Sequence, residues 1–120
     1  MSDSILRDKS KNFAKDIVFL CRRLKQNGVE GSLINQLLRC GTSVGANVHE
    51  AQYAQSKKDF ISKLEIALKE AGETGYWLEL LYRTRYIDET TFKKLSAKCT
   101  SLRAMLVASC QTAKRSDKHP

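Results

Sequence analysis

Proline occurs once in 120 residues, at the final position, and glycine six times. That scarcity leaves little to break helices or to build the tight turns of a β-rich fold, while Leu, Ala, Lys and Glu, which favour helices, are plentiful. Histidine is represented by His49 and His119 alone, which thins out the residue that metal centres and acid–base sites most often use. In the N-terminal stretch no apolar run is longer than Ile17-Val18-Phe19-Leu20-Cys21 before Arg22-Arg23 intervenes, too short for a secretory core or a membrane span. These absences predict an all-α chain, one domain over residues 1–120, acting in the cytoplasm.

The chemistry of catalysis is equally thin. Cys21, Cys40, Cys99 and Cys110 show no C-x-x-C spacing and no histidine at zinc-ligand distance along the chain, so they read as reduced packing residues, with no metal or cofactor expected. A di-iron bundle needs inward Glu-x-x-His repeats, but Ala46 stands three residues before His49. A Ser-His-Asp triad would rest on His49, and no Gly-rich phosphate loop is spelled out. Glu70 and Glu73 share a helix face, an arrangement that surfaces and interfaces use far more often than acid–base catalysis. The chain is expected not to be an enzyme.

Apolar spacing marks four helices, over about 3–27, 32–54, 56–84 and 88–113, with a frayed basic tail over 114–120. Phe13, Ile17, Leu20 and Leu24 step along the first helix, which Asn27-Gly28 ends. The second carries Ile34, Leu37, Gly41, Val44, Val48 and Ala51 in an unbroken alternation of three and four. Ser56 and Asp59 resemble a capping box at the start of the third, whose row is Phe60, Leu64, Ala67, Ala71, Thr74, Leu78 and Leu81. Asp88 caps the fourth, with Phe92, Leu95, Cys99, Leu102, Leu106 and Ser109 inward. Short connections make sequence neighbours antiparallel, which predicts an up-down-up-down four-helix bundle with the first and fourth helices side by side.

That adjacency concentrates charge. Residues 1–27 carry seven basic side chains against three acidic, residues 28–91 seven against nine, and residues 92–120 seven against one, within a total of +8. A basic face is predicted from Lys11, Lys15, Arg22, Arg23 and Lys25 with Lys93, Lys94, Lys98 and Arg103, and a phosphate backbone of RNA or DNA fits it. No aromatic is interleaved with these basics in the pattern of a base-stacking platform, so the alternative is a plain solvated exterior. The central helices differ. Gln36, Arg39, Ser43, Asn47 and Glu50 form a polar stripe beside the core row, and Glu70, Glu73, Trp77 and Leu80 belong to a second row on the third helix. Apolar residues off the core row, beside a bidentate-capable Arg39, indicate either a self-association surface or an intrachain pairing of Arg39 with a glutamate of the third helix.

The run from Gln36 to Ala51, QLLRCGTSVGANVHEA, followed by Ser56-Lys57-Lys58-Asp59-Phe60-Ile61 and then IALKEAGET from Ile66 to Thr74, resembles the bacterial four-helix-bundle proteins named for intervening sequences within 23S ribosomal RNA genes. The likeness covers nearly the whole chain. Ala51 stands where many members have Gly and Cys40 where many have Ser; both are small and leave the expected fold undisturbed. The resemblance implies a bundle assembled into a ring, typically a homopentamer, with no assigned enzymatic activity. Distant relatives accompany the reverse transcriptases of diversity-generating retroelements, which implies association with nucleic acid. The competing expectation is a scaffold whose partner is another protein.

Overall fold

The computed structural model describes residues 2–116. Four helices follow in order: α1 (Ser2–Gln26), α2 (Gly31–Ala51), α3 (Lys57–Arg83) and α4 (Glu89–Ser116). Each packs on its neighbour in sequence, α1 closes the square against α4, and among the described residues no Cα atoms of diagonal helices come within 8 Å of each other. The result is an up-down-up-down bundle 55 Å long and 22 by 20 Å across, the arrangement that four amphipathic helices on short loops adopt.

Local chemistry sets the helix ends. Ser56 Oγ accepts the backbone N–H of Asp59 at 3.0 Å, and Asp59 Oδ2 accepts from the N–H of Gln55 at 3.4 Å, one residue earlier than a strict capping box. Asp88 Oδ1 accepts from Thr91 N–H at 2.8 Å and opens α4. Two ends differ from the sequence expectation. Helix α2 stops at Ala51, and residues 52–54 continue as tighter turns in which Gln52, Tyr53 and Ala54 each bond three residues back. Helix α4 runs on through Lys114 to Ser116, where fraying is expected, because Lys114 Nζ pairs with Glu65 Oε2 at 2.9 Å and Ser116 meets Lys57 of α3. Residues 117–120, with His119, lie outside the described residues.

The core is one continuous column. Phe13, Ile17, Leu37, Leu64, Leu78, Leu102 and Leu106 are essentially sealed from solvent, and burying each such side chain is worth about 1.5–3 kcal/mol. At the ends the inward row drifts by one position, as a 3.6-residue turn must against a seven-residue repeat. Ile61 is buried where Phe60 was expected, and Cys110 where Ser109 was; Phe92 is half-buried and stacks on Tyr82 at 4.4 Å. All four cysteines are buried free thiols. Burial pushes Cys21 and Cys99 up to about 11, which suppresses the reactive thiolate.

Helices α1 and α2 approach through missing side chains. A Cβ on Gly41 would stand 2.8 Å from Ile17 Cγ2, and one on Gly45 would stand 3.1 Å from the backbone oxygen of Ser10. Gly72 on α3 has nothing within 4 Å of that position. Two alanine substitutions should therefore act with opposite sign in urea unfolding. Gly41→Ala is expected to cost about 1–3 kcal/mol through overpacking, whereas Gly72→Ala should stabilise by about 0.5–1 kcal/mol through helix propensity and a less flexible unfolded chain. Equal effects at the two sites would contradict the close α1–α2 approach.

Candidate functional site

The groove between α1 and α4 takes in three of the nine basic side chains that the sequence singles out, Arg23, Lys94 and Lys98. All nine are exposed. Arg23 from α1 and Lys94 from α4 line one stretch near the α3–α4 loop, together with Asp16 and Phe19 on the α1 side and Thr90 and Thr91 on the α4 side. Farther along, Lys98 lines the groove opposite Lys9 and Asn12, and its Nζ reaches Asp16 Oδ2 across the helix boundary at 2.6 Å. Lys9 was not part of the sequence-derived face. Lys11 turns the other way, into the groove between α1 and α2 beside Arg7, His49 and Glu50. Lys15, Arg22, Lys25, Lys93 and Arg103 lie outside both stretches of the α1–α4 groove, and Lys93 is paired with Glu89 one turn before it at 2.8 Å.

An aromatic does join these basics. Phe19 is 52% exposed, and the Arg22 guanidinium sits over its ring at 5.7 Å, a cation–π geometry. Phe19 lies off the Ile17–Leu20–Leu24 row, the spacing signal that places it on the outside of α1. Arg23 also has local company. The Thr91 backbone N–H, and more weakly the Arg23 guanidinium, hold the Asp88 carboxyl below the usual carboxylate range.

On the opposite side of the bundle part of the polar stripe joins the third-helix row in one linked set, while the rest does not. Arg39 reaches from α2 to α3, pairing with Glu70 Oε1 at 3.2 Å and with Glu73, while also donating to Gln36 Oε1 at 3.0 Å. Trp77 Nε1 donates to Glu73 at 3.1 Å. Trp77's indole and, after the opposing effect of partial burial, Arg39 keep the Glu73 carboxyl below its ordinary value. Ser43 and Asn47 instead bond backward to carbonyls of their own helix, at 2.7 and 2.9 Å, Glu50 belongs to the α1–α2 groove, and Leu80 is half-buried on α3. The Arg39 pairing is thus intrachain.

Among the described residues no cluster of three His, Cys, Asp or Glu side chains is placed to hold a metal ion, and no helix is long and apolar enough to cross a membrane. The chain matches the family described as 23S rRNA-intervening sequence protein over residues 2–108. It belongs to that family. It is also similar to the crystal structure of a protein of unknown function from the S23 ribosomal protein family of Bacteroides thetaiotaomicron. That protein is 46% identical, with a TM-score of 0.90 over 92% of this chain and 99% of the other. No curated protein matches. For this family member, the α2–α3 node makes a pH-dependent contribution. Glu73 has a lowered pKa in the fold, so its share of stability is present above the ordinary carboxylate range and is lost as pH falls through its depressed value. Arg39→Met should lower the thermal midpoint near neutral pH, and the gap to the unmodified protein should narrow below about pH 4. A gap independent of pH would show that Arg39 acts through its aliphatic stem instead of its charge.

Proposed function

We propose that this protein is a non-enzymatic, oligomeric, cytoplasmic bundle that associates with the phosphate backbone of RNA or DNA through the α1–α4 groove. The observation that carries this reading is the meeting of Arg23 with Lys94, and of Lys9 with Lys98, along the groove between the two helices whose segments carry all of the chain's excess positive charge, the middle of the chain being net negative. A row of cations on fixed helices neutralises successive phosphates and releases their counterions. The exposed Phe19 ring adds a surface on which a base can stack. Catalysis has no comparable support from the sequence, which spells out no known catalytic constellation. The ribosomal RNA in the family's description is in keeping with a nucleic-acid role.

Self-association rests on the family resemblance together with Ile66 and Tyr76, exposed at 39% and 60% on α3, where Tyr76 packs edge-on to Trp77 at 5.0 Å. The same apolar pair favours the second reading, a scaffold that binds another protein. Light scattering separates these. Several chains per particle, in keeping with a pentamer, are expected, and a monomer at all concentrations would remove the oligomer. A ring repeats the groove in every subunit, so avidity should strengthen binding by about 10² or more wherever one strand spans adjacent grooves.

Binding to generic RNA or DNA should weaken steeply with salt, by about 0.9 counterion per phosphate contact on duplex DNA and about 0.7 on single strands. Arg23→Glu with Lys94→Glu should abolish it, while Lys58→Glu with Lys63→Glu on α3 should matter much less; at the exposed positions Arg23, Lys58 and Lys94 such changes alter stability by about 0.5 kcal/mol or less. Equal losses from the two pairs would leave bulk charge as the sole attraction. No salt-dependent binding by the unmodified protein would transfer the proposal to the protein partner.

A further inference from the structure

The end of the bundle where α1 turns into α2 and α3 turns into α4 is built from two copies of one device. After α1, Gly28 N–H bonds to Lys25 O at 3.1 Å and Val29 N–H to Leu24 O at 3.1 Å; after α3, Arg85 N–H bonds to Tyr82 O at 3.0 Å and Tyr86 N–H to Leu81 O at 2.9 Å. Both are Schellman closures, which require one residue in the left-handed region. At the first closure that residue is Gly28, with φ 76°; at the second it is Arg85, with φ 68°. Glycine adopts this conformation freely, whereas a residue with a Cβ does so at a cost. The fold therefore spends stability to keep an arginine side chain where glycine would serve the backbone better. That side chain forms no hydrogen bond or ion pair with another described residue.

Arg85 lines a cleft of about 500 Å³ together with Arg23, Asn27, Tyr82, Tyr86 and Asp88. The cleft shares Leu20, Arg23 and Thr91 with the stretch of groove that holds Phe19 and Lys94, so the two are continuous. Its aromatic wall is fixed. Tyr86 donates its hydroxyl to Glu30 Oε1 at 2.6 Å, from the opposite loop, and Tyr82 is backed by the Phe92 ring at 4.4 Å and 5°. Two guanidiniums and a held aromatic ring lining one cleft are the elements that bind an unpaired nucleotide: fork-shaped donors for its phosphate and a π-face for its base. Asp88 places one carboxylate in the same wall, an acceptor suited to a base amino group or a sugar hydroxyl.

We propose that this cleft seats one unpaired nucleotide of a single strand whose backbone runs along the α1–α4 groove, with Arg85 and Arg23 on the phosphate and Tyr86 against the base. The inference rests on the nucleic-acid reading of the groove and adds a preference for single strands, since a base inside a duplex cannot reach the wall. The test is fluorescence anisotropy with a short labelled oligothymidylate, alone and paired with its complement, at one salt concentration. The unmodified protein should prefer the unpaired strand. Arg85→Gly should weaken single-strand binding by about ten-fold while raising the thermal midpoint, because it removes a ligand contact and relieves the backbone at once. Tyr86→Leu should weaken binding by about ten-fold, the worth of one stacked base, and Tyr86→Phe, which keeps the ring but not the Glu30 bond, should retain it. Single-strand affinity left intact by Arg85→Gly and Tyr86→Leu, yet lost on Arg23→Glu with Lys94→Glu, overturns the cleft and leaves the groove standing. No binding of either probe by the unmodified protein overturns both.

Discussion

The unequal closeness of the four helix contacts governs this molecule. Helix α2 comes against α1 at Gly41 and Gly45, where absent side chains let Ile17 and the Ser10 backbone move in, and α1 meets α4 more sparsely than any other neighbouring pair meets. A core packed at crystal-like density has little room to redistribute such differences. The slack appears as an open groove on the α1–α4 side, bridged at the surface by Lys98 and Asp16. The side that is packed least tightly is also the side with the highest positive charge. Like charges resist being pressed together, so an open, wet seam is the arrangement in which two basic helices can stay neighbours.

The opposite side follows the reverse logic. The α2–α3 boundary is closely packed, and Arg39 there is shared between two carboxylates that would otherwise repel each other. Glu70 is far more shielded than Arg39, whose side chain remains 48% exposed, so the link is worth less than a buried pair and more than an isolated surface contact. Its main effect is geometric. By fixing Glu73, it also fixes the indole of Trp77 and with it the exposed edge of Tyr76.

Much of this was legible in the residues. The inward rows of α2 and α3, the caps at Ser56 and Asp88, and the uneven charge of the four helices follow from spacing and residue type, because helix periodicity and side-chain oxygen chemistry act locally. Pairing across helices depends on side-chain reach and on helix rotation, which spacing leaves free. Hence Lys11 could not be assigned to the α1–α2 groove, nor Lys98 to Asp16. Arg85 gave no signal at all. The sequence Thr84-Arg85-Tyr86 lacks the glycine that normally announces such a turn, and the conformation is imposed by the burial of Leu81 and Ile87 on either side.

The bundle is also a polar object along its length. Arg7 bonded to Gln52, and Ser116 bonded to Lys57, mark one end; Tyr86 bonded to Glu30 marks the other, with the cleft beside it. The start of α1 and the finish of α4 both belong to the first end, so most of the 55 Å rod separates them from the cleft. A dye or a surface tether attached there stands clear of the ligand-bearing tip, and any array of such rods fixed by that end would present its tips in a common direction.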